Sequence, residues 1–281
     1  LLISLVLAAG CATKAPTPAP AQPSAPAKVA KQRTVVAKVP VLVKETSYYA
    51  DGLVDEYSTY KLDDAKKLVI EKDVYDGSRP EASERLVSEY KDGRLAAETI
   101  YEYDGMVRSR RELSYDVSGR LASEKVLDSK GKLQSASAYA YDGSGRKSEW
   151  RALDASLSVR AATSYAYGPD GLAAIEMKDL SGKVTGSIKL EYSQGRLAKR
   201  SYFGADGRLQ KYEAYVYSGS LLSAVESRRA DGSLSGKTAY EYGSSGELAK
   251  ASEYDAASSL RSYTAYEYSI REDSSVETYY E

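Results

Sequence analysis

A tyrosine-pair motif returns about every 25 residues through most of this chain, and no other feature restricts its fold as tightly. Tyr-x-Tyr pairs end at Tyr141, Tyr167, Tyr217, Tyr242 and Tyr268, and Leu190-Glu191-Tyr192 fills the vacant place. The successive steps are 26, 25, 25, 25 and 26 residues. So even a period means stacked copies of one small unit, each leaning on its neighbours. Function in such an array is expected on a shared surface rather than in one pocket.

Each unit divides into two halves, and each half carries a glycine turn followed by Leu. Gly195-Arg196-Leu197 and Gly246-Glu247-Leu248 follow a tyrosine pair; Gly131-Lys132-Leu133, Gly207-Arg208-Leu209 and Gly232-Ser233-Leu234 mark the other half. Glycine supplies the positive φ that tight hairpins need. The stretches between turns are of ordinary strand length, roughly 8–9 residues. The expected fold is therefore all-β: a repetitive antiparallel β-meander of hairpin repeats of about 25 residues, in one wide sheet that twists, coils or closes on itself. Residues 45–281 have room for roughly 16–18 strands, regular from about residue 90. Leu62–Val69 reads as a helical or loop insertion.

Strand alternation assigns the faces. Every second residue from Leu260 is Ser262, Thr264, Tyr266 and Tyr268, which puts the turn-proximal Leu and the tyrosine pair on one side. The same count from Leu248 gives Lys250, Ser252 and Tyr254. Arg261, Tyr263, Ala265 and Glu267 take the other, wetter side.

Composition narrows the chemistry. There are 26 Tyr against one Phe and one Trp, no His, and a single Cys, Cys11. Ser–His and Cys–His catalysis and the common zinc, copper and haem sites lose their residues, as do intrachain disulfides. With 39 basic and 40 acidic residues the net charge is −1, so no nucleic-acid partner is expected. No catalytic residue, metal ligand or cofactor is assigned, and the chain is not expected to be an enzyme. Asp170, Asp206 and Asp231 stand beside turn glycines and read as turn formers.

The N-terminus reads as an address. Leu1–Ala9 is an apolar run with one Ser, too short to span a bilayer, and Gly10-Cys11 follows. Leu7-Ala8-Ala9-Gly10-Cys11 resembles a bacterial lipobox, which implies a signal peptide over residues 1–10, lipidation of Cys11 with palmitate among its acyl chains, and a lipoprotein of the outer membrane facing periplasm or cell surface. Five of the eight prolines lie between Pro16 and Pro26, so residues 11–44 read as a disordered Pro/Ala-rich tether.

Tyr115-Asp-Val-Ser-Gly119-Arg-Leu121 and Tyr141-Asp-Gly-Ser-Gly145-Arg146 resemble the YD repeat of Rhs-type and teneurin-like proteins. The likeness covers most of residues 90–268. It implies a β-sheet coiled into a shell. The unit also resembles MORN-like hairpin repeats and aromatic cell-wall-binding hairpins. Tyr141, Tyr167, Tyr192, Tyr217, Tyr242 and Tyr268 form a candidate binding ladder, offered to sugar rings or to a partner's apolar surface. The expected function is a lipid-anchored envelope scaffold for a protein or a polysaccharide. A carbohydrate-active enzyme using paired carboxylates and a short Rhs-like shell holding a polypeptide are the rivals.

Overall fold

The computed structural model describes residues 30–280. The segment read as a signal peptide, Cys11 and the proline-rich part of the stretch read as a tether lie outside the described residues. Eighteen β-strands account for the fold, and each pairs antiparallel with the next in sequence. The described chain divides into two units.

The larger unit, Lys38–Glu272, is a single sheet closed into a barrel. Its first strand, β1 (Ala30–Tyr49), pairs with both β2 (Val54–Leu62) and the last strand, β18 (Leu260–Tyr280). Side chains lock this seam. Tyr48 stacks on Tyr263 with ring centroids 4.7 Å apart, the Ser47 and Thr264 hydroxyls are 3.2 Å apart, and Lys44 pairs with Glu267 at 3.1 Å. Closure removes both sheet edges, which would otherwise present unpaired N–H and C=O groups. The smaller unit joins residues 30–37 with 273–280. In it Arg33 donates from Nε and Nη2 to the Glu277 carboxylate.

β1 begins at Ala30, inside the stretch read from composition as tether. Val35, Val36, Val39, Val41, Leu42 and Val43 explain the difference: this run is rich in β-branched residues, and strand pairing is open to it. Of the stretch Leu62–Val69, residues 63–68 are a loop, and Leu62 and Val69 pair as the ends of the two strands it joins. The Asp63 carboxylate accepts the Lys67 and Leu68 N–H groups, which fixes it without a helix.

The turns have two forms. At Asp92-Gly93 and Gln194-Gly195 both residues have positive φ, the geometry of a two-residue hairpin turn. The longer form closes twice: Gly145 N–H donates to Asp142 O at 2.9 Å and Asp142 N–H to Arg146 O at 2.8 Å, with Gly145 at φ 78°. Beside nearly every turn the register shifts by one residue, a β-bulge.

These bulges correct the simple alternation. Leu248, on β17 (Leu248–Asp255), stands opposite Tyr242 on β16 (Leu234–Tyr242). Past the bulge, however, Lys250 pairs with Glu241, so Lys250, Ser252 and Tyr254 lie on the other face. Leu260 stands opposite Tyr254, away from Tyr266 and Tyr268. An extra residue in one strand flips every side chain beyond it. Only the Leu that follows a tyrosine pair shares that pair's face.

Enclosure differs from strand to strand: on β5 (Arg94–Glu102) and β17 the buried residues, Ala97, Thr99 and Ser252, lie off the paired-tyrosine face, whereas on β12 (Val184–Ser193) that face is the more enclosed one. Along β12, Gly186, Ile188, Leu190 and Tyr192 are buried or half-buried, while Thr185, Lys189 and Glu191 on the other face are exposed. Burial raises the hydroxyls of Tyr139, Tyr215, Tyr240 and Tyr266, all on the paired-tyrosine face, as crowding on the concave side of a curved sheet would, so the tyrosines line the interior. They do not fill it. Among the described residues the only buried apolar side chains are Ala97 and Ala136. An 18-stranded ring belongs to the size class that keeps an aqueous lumen. The outer face is laced with ion pairs, including Lys199–Glu191 at 3.6 Å and Arg228–Glu226 at 2.7 Å. So many charges leave no apolar belt for contact with hydrocarbon.

Candidate functional site

The tyrosine-lined interior is the candidate site, and its two tyrosine positions do different things. The second tyrosine of each pair is a staple across its hairpin. Tyr141 donates from its hydroxyl to Leu121 O at 2.7 Å, Tyr167 to Lys147 O at 2.9 Å and Tyr192 to Leu172 O at 3.0 Å. Tyr217, Tyr242 and Tyr268 do the same to Leu197, Leu222 and Leu248 at 3.0, 2.9 and 2.8 Å. Tyr115 bonds Leu95 O at 2.7 Å. The spanned interval is 20 residues in each case, which ties every tyrosine to the turn-proximal end of the preceding strand. All six ladder positions thus stand on one face with their hydroxyls engaged, leaving ring surface as what they can offer.

An arginine covers many of those rings. The guanidinium one residue ahead of the acceptor carbonyl lies over the tyrosine: Arg120 over Tyr141 at 4.5 Å, Arg146 over Tyr167 at 4.4 Å, Arg196 over Tyr217 at 4.8 Å and Arg94 over Tyr115 at 5.8 Å. Arg120 and Arg146 are anchored in turn by Asp116 and Asp142, each at 2.8 Å. The Gly-Arg-Leu triplet of the repeat therefore has a single job. Gly turns the chain, Arg covers the next tyrosine, and Leu lends it a carbonyl. Sequence reasoning singled out the tyrosines and missed these arginines. The signal was the fixed distance between Gly-Arg-Leu and the tyrosine that follows it.

Several first tyrosines of the pairs join charged clusters. Tyr215 donates to Glu213 at 3.0 Å; Tyr202 donates to the same carboxylate at 2.9 Å, and Arg200 faces it at 3.5 Å. Burial, aided by Glu213, pushes the Tyr215 hydroxyl up to about 12. At the seam Tyr60 donates to Glu45 at 2.6 Å, Lys72 pairs with that carboxylate at 3.1 Å, and burial with this hydrogen bond pushes Tyr60 up to about 12. Lys147 lies 4.4 Å over the Tyr165 ring and 5.9 Å from that of Tyr139.

On β16–β18 this cover stops. No Lys or Arg lies over Tyr240, Tyr242, Tyr266 or Tyr268 among the described residues, and the hydroxyls of Tyr240 and Tyr266 meet no protein group there. Glu253 lies between the two rows on the same face, opposite Thr238 and Ser262. The Ser262 hydroxyl donates to it at 3.3 Å.

The acidic residues beside turns cap backbone. Asp206 accepts the Arg208 N–H at 3.0 Å, and Asp231 accepts both the N–H and the hydroxyl of Ser233. The same work falls to Asp residues that sequence reading passed over. Backbone N–H donors hold Asp128 and Asp255 below the usual carboxylate range, and the Ser156 hydroxyl leads in lowering Asp154 to about 2. Among the described residues no group of three His, Cys, Asp or Glu is placed to hold a metal ion. A shallow hollow of about 370 Å³ lies near Glu71, Glu84, Arg85, Tyr101 and Glu102, where Arg85 reaches Glu71 at 3.8 Å.

No family model and no curated protein matches the chain. Among solved structures it is similar to TcdB2-TccC3-TEV, at 14% identity and a TM-score of 0.36 over 75% of this chain. It spans only 12% of that protein. A porin-like protein from Bacteroides uniformis is similar at 10% identity and a TM-score of 0.44, over 81% of this chain and 98% of that one. Another, from Bacteroides vulgatus, reaches 13% identity and a TM-score of 0.37, over 82% and 99%.

Proposed function

We propose that the chain is a non-catalytic scaffold of the bacterial envelope, anchored to a membrane through lipidated Cys11, whose barrel receives an envelope partner against its tyrosine-lined interior. One observation carries this reading: the interior is lined by tyrosines and paired charges but not filled. Ring faces and hydroxyls, not a packed apolar core, meet the lumen. The turn carboxylates are consumed in capping, which argues for binding over hydrolysis.

Two experiments test it. Metabolic palmitate labelling of wild type and Cys11→Ala is expected to label only the wild type; equal labelling ends the anchor. A photo-crosslinking residue in place of Tyr240, inside the barrel, is expected to capture an envelope component in cells. The same residue in place of Lys237, outside, is not. Identical adducts from the two positions, or none, would remove the lumen as the binding surface.

A further inference from the structure

Around most of the ring the molecule covers its interior tyrosines with its own cations. Arg120, Arg146 and Arg196 lie within 4.8 Å of the rings they cover, and Lys147 and Arg200 serve Tyr165 and Tyr215. At the tyrosines of β16 and β18 the arrangement is reversed. The position that should hold the guanidinium is Leu221 for Tyr242 and Glu247 for Tyr268. Glu247 is close enough that, after burial, it is the next influence raising the Tyr268 hydroxyl. Glu253 adds a second carboxylate on the same face, and neither has an ion-pair partner among the described residues. Tyr192 also lacks a guanidinium, since Gly171 holds its place, but only on β16–β18 do four bare rings stand with two carboxylates that have no ion-pair partner among the described residues.

We infer that this patch of Tyr240, Tyr242, Tyr266, Tyr268, Glu247 and Glu253 docks the Arg or Lys side chains of a basic polypeptide segment. The partner supplies in trans the cations that the other repeats carry in cis. The inference rests on the scaffold reading and gives its partner a chemistry. A cation within ~6 Å of a tyrosine face is attracted by the ring, and more strongly when water is partly excluded. Carboxylates beside the rings add charge complementarity and speed the encounter. Glu247 also has a local task, since its Oε2 accepts the Ser245 N–H at 3.0 Å in a turn where Gly243 replaces the usual Asp. Its Oε1 lies against Gly243 in that turn without a hydrogen-bond partner among the described residues, so a cation at the Tyr268 ring can still meet the carboxylate's charge. Rings and carboxylates suit sugars too, but a neutral glycan gives no reason for an acid at the arginine position.

Calorimetry on the detergent-solubilised full chain tests this with two probes, hexa-arginine and a β-1,4-linked N-acetylglucosamine hexamer. The wild type is expected to bind the peptide and not the glycan. Glu247→Arg restores Gly-Arg-Leu, fills the vacancy from within, and is expected to weaken peptide binding at least fivefold while melting no lower than wild type. Glu253→Gln is expected to weaken it at least threefold. Glu241→Arg makes the same charge change on the outer face of β16 and is expected to stay within twofold. An equal loss in Glu241→Arg, no peptide binding, or glycan binding in its place overturns the inference. If the peptide fails while Tyr240 still captures a partner in cells, the scaffold survives without it; if both are silent, both fall.

Discussion

Tyr141 shows what a single residue does in this fold. Its hydroxyl ties its strand to the start of the preceding one, and its ring carries Arg120. Tyr141→Phe keeps the ring and loses the hydrogen bond, so urea unfolding is expected to report a loss of about 1 kcal/mol. A double-mutant cycle with Arg120→Ala is expected to return a further coupling of ~0.5–1 kcal/mol, and a value of zero would mean that the ring contact does nothing. The raised hydroxyls of Tyr60 and Tyr215 make an alkaline prediction. Their folded values, about 12, exceed the unfolded value of 10.0. The neutral form is favoured in the fold, so that stability is fully present below pH 10 and is lost as pH rises through 12. Denaturant midpoints are expected to fall across that window, and less steeply in Tyr215→Phe.

Between elements, the turn glycines separate two kinds of constraint. Gly145 sits at φ 78° with only an Arg120 nitrogen near a new Cβ, at 3.5 Å. Gly145→Ala is then a backbone problem of about 1 kcal/mol. At Gly77 the new atom would lie 2.3 Å from the Val54 carbonyl oxygen. Gly77→Ala is expected to cost more, ~1–3 kcal/mol, because backbone must move. Thermal melts of the two variants give the order, and a milder Gly77→Ala would count against the packing described here. The hairpins were legible because Gly and Asp punctuate the chain at fixed intervals. The faces were only half legible. A bulge leaves no mark in composition, so Leu260 follows the arithmetic of its strand to the wrong side. The arginine cover was hidden for another reason: Arg120 and Tyr141 lie 21 residues apart, at the start and end of one hairpin, so only the recurrence of that spacing couples them.

For the barrel as a whole, closure decides whether there is an interior at all. A meander of hairpins can end as a ribbon or a ring, and repeat spacing is the same in both. The seam instead relies on Ser47, Tyr48, Tyr263 and Thr264, which are unremarkable in sequence and meet only once the sheet has come round. Ser47→Cys with Thr264→Cys, in a Cys11→Ala background, is expected to oxidise to an intramolecular disulfide, seen as a faster band on a non-reducing gel. Failure to form it under oxidant would mean an open sheet.

The staple interval also governs how wide such a barrel can be. Each tyrosine reaches across its own hairpin to the start of the preceding strand, so every staple belongs to one strand pair and the chain measures its circumference in such pairs. Excising residues 168–192 joins Tyr167 to Ser193 and removes two strands, β11 (Gly171–Asp179) and β12. The strand count stays even, the first and last strands still meet antiparallel, and every remaining tyrosine keeps its carbonyl. A narrower, folded ring is expected, with a smaller hydrodynamic radius and a cooperative melt. Excising half that length would bring the closing strands together in parallel and leave one staple without its anchor. Girth in this architecture is thus a matter of copy number, adjustable by duplication or loss of a whole hairpin without redesign of the seam.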